Sequence, residues 1–351
     1  MRTHAEVNRM VAESGVPKAA SACMVAAVLF TYRCTIACRH CCFGCATDRP
    51  DRVMTARQCV DALALLHETG RVIHIAGGEA MLYWNVLADA LQLAAKEGLA
   101  PHFIETNCSF AVSDELTRER LLFMRRHGVQ GLLASADPYH QEFVPAERFL
   151  RVRRLAIEIF GAHNFYGPGH DDEEIRAFEG LALDEARLRD FVRRHPPLTV
   201  GTAQKSLADC LDRYPVDDPR LPWRGWREPY VRGACATQFQ AATLWELHID
   251  PYGNIQTNCG MILGNVPKTT PAALLASGPE KANRFVRTVS ECGPLGLARL
   301  AEKEYGFVIP SCVAQNCELC YLTRTFLRAH HPEVFGPAEI YIHSSDPSRS
   351  A

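Results

Sequence analysis

Three cysteines stand at Cys34-x3-Cys38-x2-Cys41, directly after Met24-Val-Ala-Ala-Val-Leu-Phe-Thr-Tyr32, a β-branched and aromatic run that reads as a buried strand. Three thiolates at this spacing can wrap one iron–sulfur cubane and leave its fourth iron without a protein ligand, a place for something else to bind. The same three, joined by Cys42 or Cys45, would also suit a structural zinc. The chain carries 15 cysteines in 351 residues. Glu6, Arg9 and Glu13 interrupt the segment where a secretory signal needs an unbroken apolar run, and Ala19–Phe30 is too short to span a bilayer. A cytoplasmic chain is therefore expected, and clustered thiols in a reducing compartment point to metal rather than disulfides.

One predicted unit further on, strand Val72–Ala76 runs into Gly77-Gly78-Glu79. Two glycines let backbone approach a ligand closely, and a carboxylate beside them can accept from an ammonium group. A lone Gly-Gly-Glu is usually a turn; its position after the second strand gives it weight. Glu105-Thr106-Asn107 and Ser135-Ala-Asp137-Pro-Tyr-His140 close the third and fourth strands. Asn, Ser and Asp there also suit capping and turns, and His140 reads either as an acid or base or as a solvated loop residue. Near the carboxyl end Cys235, Cys259 and Cys312-x4-Cys317-x2-Cys320 imply a second metal site, for which a zinc ribbon is the alternative. Cys23, Cys59, Cys108, Cys210 and Cys292 read as buried apolar thiols, whereas Cys42 and Cys45 read as either redox-active or packed, with packing the simpler reading.

The elements that must position these groups alternate. Helical patterns from Thr55 to Gly70, near Trp84–Glu97, over Ser113–His127 and near Ala146–Phe160 separate strands Val72–Ala76, Phe103–Thr106 and Gly131–Ser135. Strand His163–Tyr166, helix Asp184–His195 and strand Leu198–Gly201 continue the series, so six strands are expected in a parallel β/α sheet or open barrel. Pro215, Pro219, Pro222 and Pro229 mark a connector. A hairpin is expected over Thr243–Ile249 and Ile255–Thr257 around Asp250-Pro-Tyr-Gly253-Asn, then helices near Asn283–Cys292 and Leu295–Tyr305. Trp223, Trp226 and Trp245 read as junction packing or a substrate surface. Apolar residues make up 47% and charged residues 22%, which excludes a disordered chain. Lys+Arg 38 against Asp+Glu 40 gives no pull toward nucleic acid or an anionic membrane, and Arg151, Arg153, Arg154, Arg193 and Arg194 read as solvated helix faces.

A CxxxCxxC loop after the first strand with a GGE motif after the second resembles the radical SAM superfamily, and the hairpin between Cys235 and Cys259 resembles its SPASM or twitch extensions. The resemblance implies an α/β fold, a partial (β/α)6 barrel over 22–205, a connector at 206–232, a smaller hairpin-plus-helices domain at 233–325 and a tail at 326–351. It implies that Cys34, Cys38 and Cys41 hold a [4Fe–4S] cluster whose open iron is chelated by S-adenosylmethionine, with Gly77, Gly78 and Glu79 on the methionine ammonium. His40 stands where the family usually has an aromatic residue, and Asn107, Ser135 and Asp137 would line the SAM and substrate pocket. Cys235, Cys259, Cys317 and Cys320 would hold an auxiliary [4Fe–4S] cluster, with Cys312 as the replacement ligand. The activity implied is reductive cleavage of SAM to a 5′-deoxyadenosyl radical that abstracts hydrogen from a peptide or small-molecule substrate, of oxidoreductase or transferase type. The partners implied are a flavodoxin- or ferredoxin-type electron donor and that substrate. About 23 residues precede the first strand, so a leader-recognition domain is not expected there, nor is a cobalamin-binding domain. A non-catalytic iron–sulfur electron carrier and a zinc-stabilised interaction protein are the competing classes: the first would need no Gly77-Gly78-Glu79, the second would be colourless.

Overall fold

The structure is a computed structural model that describes residues 2–181, 183–222 and 234–341. Trp223 and Trp226, residues 223–232 of the expected connector and residues 342–351 of the expected tail lie outside the described residues. The chain forms two compact units, Met1–Ile36 with Arg49–Asp184 and Glu246–Gly253, and Ala37–Asp48 with Glu185–Trp245 and Asn254–Ala351.

In the first unit, helices α1 (His4–Ser14) and α2 (Val16–Cys23) precede the sheet, and neither was expected. Thr3 and Glu6 close a reciprocal capping box on α1, a Thr-x-x-Glu signal that was open to reading. Strands β1 (Val25–Leu29), β2 (Val72–Ala76), β3 (Phe103–Thr106), β4 (Gly131–Ala134) and β5 (Phe165–Tyr166) alternate with helices α3 (Ala56–His67), α4 (Trp84–Glu97), α5 (Asp114–Arg126) and α6 (Ala146–Phe160). A sixth strand, β6 (Glu246–Ile249), pairs with β1 on the edge that β2 leaves open, giving the parallel order β5-β4-β3-β2-β1-β6. This is the α/β class that the alternation implies.

Two strand expectations are corrected. The fifth strand is only Phe165–Tyr166, because Ala162–Asn164 closes a 3-10 turn after Gly161. Leu198–Gly201 is no strand: the Gln315 side chain accepts from Thr199 N at 3.2 Å and Thr199 Oγ1 at 3.0 Å, so its amide is used on a side chain and not on a ladder. The sixth place falls to the first arm of the expected hairpin, which is parallel to β1.

The second unit holds α7 (Glu185–Arg194), strands β7 (Asn254–Thr257) and β8 (Ile262–Asn265), and helices α8 (Arg284–Tyr305) and α9 (Asn316–Leu327). Strands β7 and β8 form an antiparallel hairpin with an irregularity between Ile255 and Gln256; β8 and α9 were not expected. The two helical stretches expected on either side of residue 293 are both present in α8, where Gly293, φ 68°, separates them before Pro294. Leu221, Ala298, Val313 and Leu319 form a core over which Tyr214, Leu295 and Phe307 pack.

Strand β2 shows what the first sheet positions. Register aligns Ala27 with both His74 and His248, so these three share one face with Phe103 opposite His74, while Ile73, Ile75, Ala26 and Val28 form the other face. Helix α3 packs on β1 and β2. The small Ala27 side chain leaves His74 room to reach across β1: its Nε2 lies 2.9 Å from Glu246 Oε1, and its Nδ1 lies 3.1 Å from Glu105 Oε1. The ring also stacks on Phe103 at 4.4 Å. Both ring nitrogens therefore lie at ion-pair distance from carboxylates, although only the Nε2 contact is aligned as a hydrogen bond, and this arrangement favours a bridging imidazolium. Burial works against the charge, yet Glu105 and Glu246 outweigh it and hold His74 up at about 9.

A group whose folded pKa is raised stabilises the fold below its unfolded value and loses that contribution as pH climbs through the folded one. His74→Phe keeps the stacking but takes the charge away from between the two acids, leaving Glu246 with His248 at 3.1 Å and Glu105 with water. Urea unfolding should show it less stable than the parent by about 3 kcal/mol below pH 6.5, the gap closing as pH rises from 6.5 to about 9. A gap that does not change with pH would contradict the bridging imidazolium.

Candidate functional site

The carboxyl ends of β1 to β4 bring together most of the residues expected in the first unit. Beyond β1 and β2 the two chains stay paired: Phe30 N donates to Ala76 O at 2.9 Å, Gly78 N to Thr31 O at 2.7 Å and Glu79 N to Arg33 O at 3.1 Å. A Cβ on Gly78 would sit 2.0 Å from Arg33 O, and one on Gly77, φ 136°, would sit 2.6 Å from Thr31 O. The glycine pair thus serves a close approach of backbone to the loop that carries Cys34.

Glu79, 1% exposed, follows. Its Oε1 accepts from Met81 N and Thr106 Oγ1, both at 3.1 Å, and its Oε2 accepts from Asn107 N at 2.8 Å. Burial pushes its carboxyl up to about 7, although these donors pull the other way. Asn107, also buried, turns its amide to the cysteine loop, donating from Nδ2 to Cys34 Sγ at 3.4 Å and to Thr35 Oγ1 at 3.0 Å. One residue thereby joins the buried carboxylate to the first cysteine. Thr106 was missed as a functional residue although it lies between two that were quoted, and its hydroxyl reaches both Glu79 oxygens.

Ser135 follows β4 with its amide on Thr106 O at 3.0 Å. The Asp137 carboxylate caps the next turn: Oδ1 accepts from Tyr139 N and His140 N, each at 3.0 Å, and Oδ2 lies 2.8 Å from His140 Nδ1. The turn-forming role weighed from sequence is therefore present at Asp137, with His140 oriented as a second result. At the close of β1, Tyr32 donates to Asp250 Oδ2 at 3.1 Å, a buried pair that sequence reading passed over.

Cys38, His40 and Cys41 belong to the second unit, with His40 half-buried. Cys41 Sγ accepts from Cys45 N at 3.3 Å. Hydrogen bonding from the Cys45 side chain, against the cost of burial, brings the Cys41 thiol down to about 6, with the Cys45 amide and His40 adding to it. Cys45 was expected to be merely packed. Gly201, φ +55°, is a further missed residue: a Cβ there would stand 2.3 Å from Cys41 O, and Thr202 N donates to that oxygen at 2.9 Å.

Cys235, Cys259, Cys317 and Cys320 are brought within electrostatic reach of one another. Burial raises the Cys235 thiol well above its ordinary value, and the other three raise it further. Cys317 and Cys320 are one turn apart on α9, and Thr257 Oγ1 lies 3.0 Å from Cys259 Sγ. Cys312 lies in a two-residue antiparallel ladder with Tyr214–Pro215, its carbonyl accepting from Arg213 at 2.9 Å. Among the described residues, no three of the four sulfurs form a set within 4.8 Å of one another. Tetrahedral zinc at about 2.3 Å per thiolate would draw them to about 3.8 Å.

The first unit is an α/β sheet with its polar residues gathered where parallel strands end, the position at which such folds bind ligands and cofactors. Residues 28–181 match the family model described as the Radical SAM superfamily. Among solved structures, that of Streptococcus suis SuiB bound to S-adenosylmethionine is similar at 12% identity, covering 91% of this chain and 77% of that one, with a TM-score of 0.32. No curated protein matches. Among the described residues no helix is long and apolar enough to cross a membrane.

Two measurements probe this geometry. Gly78→Ala must displace the Arg33 carbonyl, so it should keep the parent's circular dichroism yet unfold at a lower urea concentration; an unchanged midpoint would mean the close approach is dispensable. Glu79 gives a pH signature of opposite origin to that of His74. With its folded carboxyl at about 7, against 4.5 ordinarily, the folded state keeps a proton that the unfolded state has lost, so stability declines as pH rises from 4.5 to about 7. Glu79→Gln should remove that decline, gaining about 3 kcal/mol over the parent at pH 8 and almost nothing at pH 4.

Proposed function

We propose that this chain is a radical SAM enzyme in which Cys34, Cys38 and Cys41 hold a [4Fe–4S] cluster and Gly77, Gly78 and Glu79 receive the ammonium of S-adenosylmethionine. The observation that carries the reading is Glu79: a carboxylate so deeply buried that its charge is disfavoured suits a cationic partner, and Asn107 ties it to Cys34. The donor set fits as well, since a thiol held near 6 at Cys41 is a thiolate at neutral pH. The cluster and SAM together supply reductive cleavage of the sulfonium, giving a 5′-deoxyadenosyl radical that abstracts hydrogen from substrate.

The chain's own residues bind and orient. Thr106 and the Asn107 amide favour the charged form of Glu79. The Asn107 side chain steadies Cys34, and Asp137 fixes the His140 ring through Nδ1, which sets its tautomer. Ser135 and Asp137 bound the far side of the pocket after β4. The proposed domains are the barrel at 22–205, a connector at 206–232, an auxiliary-cluster domain at 233–325 and a tail at 326–351. In the auxiliary domain Cys235, Cys259, Cys317 and Cys320 hold a second [4Fe–4S] cluster. A flavodoxin- or ferredoxin-type donor in the reducing cytoplasm would supply the electron, and the substrate is a peptide or small molecule.

The test is anaerobic reconstitution followed by incubation with SAM and dithionite, with 5′-deoxyadenosine read by mass spectrometry. Production by the parent and its loss in Cys38→Ala is the expected result. A protein that keeps its iron but neither binds SAM nor yields 5′-deoxyadenosine would be the electron carrier instead.

A further inference from the structure

Arg324 is the largest fully buried side chain of the second unit, 1% exposed. It lies on α9 one turn beyond Cys320 and two beyond Cys317, so the three share a helix face. Its Nη1 donates to the carbonyl of Cys259 at 2.8 Å, and its guanidinium carbon lies 5.7 Å and 5.8 Å from the ring centres of Tyr321 and Tyr341. These two rings stack at 5.5 Å, and Tyr321 is fixed by its hydroxyl on Ile340 O at 2.8 Å. Its Nε is buried without a hydrogen-bond partner. Among the described residues it makes no ion pair with a carboxylate, and the groups that act on its charge most strongly are Tyr341, Cys320, Cys259 and Tyr321.

A guanidinium does not discharge in proteins, and a buried charge without a counter-charge is strongly unfavourable. The tyrosines offer only ring faces and a hydroxyl. Neutral thiols would leave the cation uncompensated. Four thiolates around a [4Fe–4S]2+ core carry a net charge of −2, which becomes −3 when one electron enters and no proton follows. Resting on the auxiliary-cluster reading above, we propose that Arg324 is the counter-charge of that cluster and sets its reduction potential, favouring the reduced state. It is a positioning and tuning residue, which the net-charge dependence of iron–sulfur potentials makes measurable.

The experiment uses the full chain carrying Cys34→Ala, Cys38→Ala and Cys41→Ala, so that only the auxiliary set can load iron. Dithionite titration with redox mediators, followed by electron paramagnetic resonance, compares Arg324 with Arg324→Lys and Arg324→Gln at equal iron content. With the charge removed, the reduced-to-oxidised ratio at fixed potential should fall at least tenfold, which for a one-electron couple is 59 mV. Arg324→Lys, which keeps the charge, should fall less than threefold. A fully loaded Arg324→Gln within threefold of the parent overturns the proposal. Should neither variant load iron, metal-free unfolding decides: a lone buried cation makes Arg324→Gln at least as stable as the parent apoprotein, whereas a less stable variant makes Arg324 a structural residue and overturns the counter-charge. Zinc in place of iron in the parent background would refute the auxiliary-cluster reading itself, and the apoprotein comparison would then judge Arg324 independently.

Discussion

A carboxylate removed from water must be met by donors, and the residues that meet Glu79 organise the ends of β1, β2 and β3. Asn107 N, Thr106 Oγ1 and Met81 N come from the chain on either side of it, and Asn107 then spends its side chain on Cys34 and Thr35. None of these contacts forms unless β2 leaves the sheet within backbone distance of Thr31–Cys34, and that distance exists because Gly77 and Gly78 lack Cβ atoms. Burial, hydrogen bonding and sterics are one constraint here: relaxing any of them releases the first cysteine.

Much of this was legible from residue order. Alternation of apolar strands with capped amphipathic helices is dictated by local periodicity, so β1 to β4 and α3 to α6 fall where the pattern puts them. The glycine pair was legible by type, but its neighbour was not: sequence suggests an approach to a ligand, and the chain itself occupies the space. The Leu198–Gly201 stretch has strand composition and no strand, because Gln315, far away in sequence, takes the amide a ladder would use. Local preference gives no warning of such a competitor. Arg324, by contrast, stood at helical spacing from Cys317 and Cys320, a signal that becomes readable once that segment is known to be α9.

Polar residues inside β-strands carry information of another kind. His74 interrupts the apolar run Val72–Ala76 on the face it shares with Ala27, Phe103 and His248, and its two acids arrive from strands on either side. A histidine so enclosed is a fastening between β3, β2 and β6 across the small Ala27. Periodicity identifies its face, while only the three-dimensional order of strands identifies its partners.

That order has a bearing on how the chain acquires its shape. Strand β1, near the start of the chain, has its second neighbour at Glu246–Ile249, after the chain has gone on to build α7 and the segment beyond it. Pairing of such high sequence separation carries a large loop-closure entropy and forms late. During synthesis the β1 edge therefore waits, with open amides and carbonyls of the sort that recruit stray strands, until residue 249 has emerged. The turn Asp250–Gly253 arrives with β6, bringing Asp250 to Tyr32 and the Pro251 carbonyl to Arg52. The ground on which Cys34 stands is thus finished by Glu246–Gly253, a segment that reaches Tyr32 from 218 residues further along the chain and is a condition for completing the amino-terminal sheet.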